Sequence, residues 1–147
     1  MPQSLASVYL HATFSTKDRR PFLTSDIRSQ MHAYLAEVTK RLDCPAIEIG
    51  GVEDHVHLLV RFARTCSIAD WMREVKSVSS TFGKQRLSGF AWQNGYGVFS
   101  VGTDAVSDVA RYVSNQEEHH HRETFKEEFL RLLEAHHLKW DERYIWD

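Results

Sequence analysis

The sequence predicts an α+β sandwich, a four-stranded antiparallel sheet backed by helices. Three observations carry this. Two segments alternate apolar and polar residues with the period of a half-buried strand. Two longer segments repeat apolar residues at helical spacing. The elements follow one another as strand, helix, strand, strand, helix, strand and then helices, which is the split βαβ order of a ferredoxin-like sheet with two helices on one face.

Ser7 to Phe14 forms the first strand, with Val8, Leu10, Ala12 and Phe14 on one face and Ser7, Tyr9, His11 and Thr13 on the other. It leads into the polar loop Ser15 to Pro21, where Lys17, Arg19 and Arg20 are suited to holding phosphates. Ser25 to Leu42 is predicted helical, because Ile27, Met31, Tyr34, Leu35, Val38 and Leu42 fall on one stripe. Cys44-Pro45 ends it, and Ala46 to Val52 gives a second strand with Ile47 and Ile49 inward. The turn Gly50 to Asp54 returns the chain directly into His55 to Phe62, making a hairpin.

Ser67 caps the next helix, with Asp70 at its third position and Ile68, Trp71, Met72, Val75, Val78 and Phe82 as the buried stripe. The opposite face offers Arg73, Lys76, Ser77, Ser80 and Lys84, donors suited to a sugar-phosphate backbone or to water. Gly83 and Gly89 are expected to mark the end of that helix. Phe90 to Val101 reads as a turn and a fourth strand, rich in rings that either pack the core or stack unpaired bases for about 1–3 kcal/mol each.

After Gly102, Thr103 or Asp104 caps a helix with the stripe Val106, Val109, Ala110 and Val113. Tyr112 lies off the centre of that stripe, and Gln116 follows one turn later. His119, His120 and His121 point in three directions on a continuing helix and are predicted to be surface residues. A last helix from about Thr124 places Phe125, Phe129, Leu132, Leu133 and His136 on one stripe. The aromatic tail from Trp140 to Asp147 is expected to dock on the body or on a second chain.

The 147 residues fit one domain, 42% hydrophobic and 12% aromatic, which excludes a disordered chain. No apolar run reaches the length of a membrane span, and the first residues lack signal-peptide character, so a cytoplasmic protein is expected. Cys44 and Cys66 form no CxxC pair and are expected to be free thiols. The net charge of −2 conceals an asymmetry: residues 1–86 carry 12 Lys and Arg against 9 Asp and Glu, whereas residues 87–147 carry 6 against 11. A basic groove on the first part is therefore allowed.

The chemistry concentrates in Gly50-Gly51-Val52-Glu53-Asp54-His55-Val56-His57. On a strand, His55 and His57 share a face, and two neutral imidazoles at that spacing fill two positions of one divalent ion while leaving room for a third ligand and a substrate oxygen. Without a metal, the same pair is two polar-face histidines meeting only water.

Taken together, the His55/His57 pair, the Tyr112/Gln116 pair and the Thr16-Lys17-Asp18-Arg19 loop resemble the single-tyrosine HUH transposases of the insertion-sequence-200-like group. The resemblance runs from about Tyr9 to Asp147 and takes in Trp92-Gln93-Asn94-Gly95-Tyr96-Gly97, the segment from Tyr112 to His120 and the closing Asp141-Glu142-Arg143-Tyr144-Ile145-Trp146-Asp147. It implies transposition by cutting and rejoining single-stranded DNA at hairpin-bearing element ends through a 5′-phosphotyrosine intermediate. It also implies Tyr112 as nucleophile, with His55, His57 and Gln116 as ligands of Mg²⁺ or Mn²⁺. Two imidazoles favour Mn²⁺ or Zn²⁺, whereas amide and phosphate oxygens suit Mg²⁺ or Mn²⁺. In that family the active unit is a homodimer whose tyrosine helix completes the partner's histidine site, and the same is expected here. Assembly within one chain, as in the related repeat-associated transposases, stays open. The DNA contacts expected are Lys17, Arg19, Arg20, Arg73, Lys76, Ser77 and Ser80.

Two other functions fit parts of the pattern. A non-catalytic single-stranded DNA or RNA binding module would use the sheet and its rings but leave His55, His57, Tyr112 and Gln116 without a task. A metal hydrolase would use the histidines and a bound water, with Tyr112 only orienting substrate.

Overall fold

A computed structural model describes residues 2–147. Its sheet is built from β1 (Tyr9–Ser15), β2 (Ala46–Gly51), β3 (His55–Arg61) and β4 (Gly97–Val101), in the spatial order β2-β3-β1-β4 with every pairing antiparallel. Helices α1 (Ser25–Arg41) and α2 (Ile68–Arg86) cover one face. Helices α3 (Val106–Ser114), α4 (Gln116–His119) and α5 (Phe125–Ala135) follow β4 and close the other. The predicted α+β sandwich is the fold observed.

Strand alternation makes the two-layered core. Leu10, Ala12 and Phe14 of β1 and Val56, Leu58 and Val60 of β3 meet Met31, Leu35 and Val38 of α1 and Trp71, Met72 and Val75 of α2. On the far face Phe99 of β4 packs with Phe125, Phe129 and Leu133 of α5, and Ile145 and Trp146 of the tail dock against that cluster. Because the C-terminal helices sit there, the face predicted to be polar is closed: His11, Thr13, His55 and His57 are all buried.

Local signals account for the helix starts. Ser67 Oγ accepts from the Asp70 N–H at 3.1 Å at the head of α2. Thr124 and Glu127 form a full capping box on α5, each side chain accepting the other's backbone N–H.

Several expectations are corrected. A register shift between Ala46 and Glu48 turns Ile47 outward, so that only Ile49 of that pair reaches the core. Val8 lies ahead of β1 and is exposed, as is Ile68 in the first turn of α2. Gly83 is inside α2 rather than at its end, since a Cβ there would stand 2.3 Å from the Phe90 ring and only glycine lets that ring pack so close. Neither Thr103 nor Asp104 caps a helix by a side-chain hydrogen bond: Thr103–Ala105 is a 3₁₀ turn running into α3. The helix predicted to run on through the histidines breaks at Asn115, which separates α3 from α4.

Candidate active site

β3 places His55 and His57 side by side on the face covered by α3, α4 and α5, with both imidazoles at 0% exposure. Their positions are locked by the sheet, where Ser15 pairs with His55, Thr13 with His57 and Gly50 with His57 from the other side. Tyr112 comes from α3, whose backbone approaches β2 so closely that a Cβ on Gly50 would stand 1.8 Å from the Val113 carbonyl oxygen. The Tyr112 ring meets the His57 ring edge-on at 5.8 Å. Gln116, at the start of α4, is buried and accepts from His55 Nε2 at 3.2 Å through Oε1. The four residues predicted for the site, His55, His57, Tyr112 and Gln116, thus converge within one chain.

At their centre lies a residue the sequence reading passed over. Glu128 of α5 is fully buried; its Oε1 accepts from His57 Nε2 at 2.9 Å and from His120 Nε2 at 3.2 Å, and its Oε2 accepts from the Tyr112 hydroxyl. His120, expected on the surface, is turned inward instead, its side chain only 8% exposed, because the break at Asn115 resets the helical phase. His11 of β1 is the other addition, with Nε2 2.7 Å from His57 Nδ1. Glu128 was detectable: it lies three residues after Phe125 and four before Leu132, a carboxylate in the middle of an apolar stripe.

The hydrogen bonds fix the protonation of the cluster. His55 uses both ring nitrogens on acceptors, Asp54 Oδ1 at 2.7 Å and Gln116 Oε1, which makes it an imidazolium. Burial works against that charge, yet the hydrogen bonds to Asp54 and Glu128 outweigh it and raise its pKa to about 9. His57 is lowered to about 4 and His11 to about 3, chiefly by burial, so both are neutral. Burial opposes the Glu128 charge too, but the imidazoles donating to it hold its pKa far below the carboxylate range. Tyr112 is pushed well above 10 by burial and by the Glu128 carboxylate, with Arg131 pulling the other way.

The donor set fits a divalent ion. The ligand atoms of His55, His57, His120 and Glu128 lie within 4.8 Å of one another. Separations of 2.9, 3.2 and 3.5 Å from Glu128 Oε1 to the three Nε2 atoms are close to the edge of an octahedron with ~2.1 Å bonds, about 3 Å. Two or three imidazoles with a carboxylate and an amide oxygen are a Mn²⁺- or Zn²⁺-like set more than a Mg²⁺ cage.

The remaining predicted residues lie outside this cluster. Arg73, Lys76, Ser77 and Ser80 of α2 line a groove of about 490 Å³ whose other wall carries Trp92 and Tyr96. Lys76 donates to the carbonyls of Asn94 and Gly95 at 2.8 and 2.7 Å, and burial lowers its pKa to about 8. Lys17 and Arg19 bound a 3₁₀ turn after β1, with Arg20 extended just beyond it, and the turn is tied to this wall by the Lys17 N–H to Ala91 carbonyl bond of 2.8 Å. Lys17 and Arg20 are exposed, whereas the Arg19 guanidinium sits 5.7 Å from the Trp146 ring.

The family model described as "Transposase IS200 like" matches residues 4–116, most of the chain. The chain belongs to the IS200-like transposase family. Among solved structures, a candidate transposase from Deinococcus radiodurans aligns with a TM-score of 0.64 at 18% identity, covering 79% of this chain and 95% of its own. A REP-associated tyrosine transposase bound to a REP hairpin aligns with a TM-score of 0.57 at 13% identity, covering 77% and 68%. At those identities the two structures establish the shared fold. No curated relative matches the sequence. Membership of this family makes DNA the substrate and transposition the process, and assigns the transposase a strand-cutting and strand-transferring chemistry. The family match ends at Gln116, so Glu128 and the rest of α5 lie beyond it.

Proposed function

We propose that this IS200-like transposase cuts and rejoins single-stranded DNA at hairpin-bearing element ends through a 5′-phosphotyrosine intermediate formed on Tyr112. The observation that carries the reading is Glu128, whose one carboxylate binds the tyrosine hydroxyl through Oε2 and the imidazoles of His57 and His120 through Oε1. A nucleophile and a metal-ligating cluster therefore share a single group.

His55 Nε2, His57 Nε2, Gln116 Oε1 and Glu128 Oε1 would hold the ion, with His120 beside them. When bound, Mg²⁺ or Mn²⁺ supplies a Lewis acid that polarises the scissile phosphate and stabilises the departing 3′ oxygen. The chain does the rest. His55 gives up its Nε2 proton to offer a lone pair, while Asp54 keeps Nδ1 protonated. His57 shifts to the tautomer protonated at Nδ1, where His11 Nε2 accepts. Glu128 keeps the Tyr112 oxygen directed at the cluster. In the transfer a bond forms between that oxygen and phosphorus as the bond from phosphorus to the 3′ oxygen breaks. The phenol loses its proton and the 3′ end is released as a hydroxyl. Attack by the 3′ hydroxyl of another strand reverses the exchange and rejoins DNA, with no nucleotide hydrolysis needed.

Arg73, Lys76, Ser77 and Ser80, with Lys17, Arg19 and Arg20 alongside, are the surface we assign to the hairpin and its flanking strand. Excision joins two ends and so calls for two nucleophiles, which a homodimer supplies. The convergence of Tyr112 with His55 and His57 inside one chain supports each copy using its own tyrosine. Mixing a Tyr112→Phe chain with a His57→Ala chain separates the arrangements: swapped tyrosine helices restore cleavage, and self-contained sites do not.

The deciding experiment incubates wild-type and Tyr112→Phe protein with labelled single-stranded hairpin DNA from the ends of its own locus, with Mn²⁺, Mg²⁺ or EDTA. A denaturant-resistant adduct that requires metal and vanishes in the variant is expected. Binding without an adduct under every metal would leave a single-strand binding module.

A further inference from the structure

The tyrosine oxygen has two partners, both from α5 and three residues apart. Glu128 approaches from the buried cluster, and Arg131 donates from the other side, Nη2 to the hydroxyl at 3.0 Å. The guanidinium is aimed rather than loose. Glu123 accepts from its Nε at 3.0 Å and from Nη2 at 3.1 Å, and Glu123 is itself held by His119. Among the described residues Nη1 has no hydrogen-bond partner.

On that side of Tyr112 there is also room. A pocket of about 330 Å³ is lined by His11, Phe99, Tyr112, Arg131, Leu132 and His136. Tyr112 and Arg131 both line this opening, with His11 of the cluster behind them, so a phosphodiester entering it meets Arg131 beside the tyrosine. A guanidinium presents a fixed fork of donors that matches two phosphate oxygens, and it stays charged at any working pH.

We propose that Arg131 is a catalytic residue that binds a non-bridging oxygen of the scissile phosphate as it transfers to Tyr112, opposite the metal cluster. The proposal rests on Tyr112 being the nucleophile. In the transition state the phosphoryl oxygens gain charge next to a preorganised cation, and in the covalent intermediate the same fork keeps the phosphotyrosine in place for the incoming 3′ hydroxyl. Arg131 is on α5, outside the region matched by the family model.

The test compares wild type, Arg131→Ala and Arg131→Lys in single-turnover adduct formation on two hairpin substrates. One carries the ordinary phosphodiester at the cut, and the other carries a methylphosphonate, which replaces one non-bridging oxygen by a neutral methyl group. On the phosphodiester, Arg131→Ala is expected to slow adduct formation by roughly 100-fold or more, with Arg131→Lys between the two and hairpin affinity unchanged. On the methylphosphonate, the gap between wild type and Arg131→Ala is expected to shrink to a few-fold, because the charge that Arg131 answers is gone. An equal loss on both substrates would make Arg131 a structural tie between α3 and α5 and overturn the proposal. So would a wild-type rate in Arg131→Ala. A wild-type protein forming no Tyr112 adduct on the phosphodiester would remove the nucleophile itself and the phosphate contact with it.

Discussion

The Tyr112 hydroxyl donates to the same Glu128 carboxylate that receives the His57 imidazole. One side chain of α5 therefore couples the groups proposed for attack and for metal binding. Glu128→Gln keeps the shape but removes the charge. It is expected to weaken Mn²⁺ binding by about 10–100-fold and slow adduct formation at least as much, read by calorimetric titration and single-turnover cleavage. Unchanged metal affinity would remove Glu128 from the site.

The same cluster sets a pH signature in the metal-free protein. Burial keeps His57 and His11 neutral, with pKa values of about 4 and 3 against an ordinary 6.5. The unfolded chain takes up protons near pH 6.5 that the folded chain refuses, so stability is full above 6.5 and falls as pH drops towards 4. His55 behaves oppositely. Although burial lowers it, Asp54 and Glu128 raise its pKa to about 9, so its contribution is full below 6.5 and is lost as pH climbs towards 9. His120 also faces Glu128 within this cluster. Urea midpoints measured with chelator present should therefore peak near pH 6.5 and drop at both pH 5 and pH 9.

Gly50 holds the tyrosine helix against the sheet. A methyl group there would stand 1.8 Å from the Val113 carbonyl oxygen, a backbone atom that moves only if α3 moves. Gly50→Ala should cost about 1–3 kcal/mol in denaturant unfolding. Because Val113 adjoins Tyr112, adduct formation should suffer more than hairpin binding. Equal losses in both would mean that α3 shifts without disturbing the tyrosine.

The α2 groove makes a different prediction. Arg73→Ala or Lys76→Ala should weaken hairpin DNA binding and reduce the slope of log affinity against log salt by about one, while leaving Mn²⁺ affinity alone. Fluorescence anisotropy across a salt series reads both. A salt slope identical to wild type would place the phosphate contacts elsewhere.

Much of the site was legible because strand periodicity is short and rigid. Alternation alone put His55 and His57 on one face, and helical spacing set Tyr112 and Gln116 one turn apart. What it could not show was burial of that face, since an alternating strand reads the same whether water or another layer covers its polar side. His11 was hidden for this reason. His120 was hidden by a different one: a break at Asn115 changes the direction of every later side chain, and no Gly or Pro announces it. Glu128 did leave a trace, as a charge within an apolar stripe, and such a residue asks for a partner before it is set aside as solvent-facing.

Finally, His55, His57, Gln116 and Glu128 are together almost wholly shielded from water. An ion held by them would be covered by the layer to which α5 contributes Glu128. Its exchange would then be timed by local opening of that layer, the breathing of that helix included, rather than by shedding of its hydration shell alone. Loading should be slow and residence long, so that one ion serves through successive cutting and rejoining events and a chelator added midway through a reaction acts late.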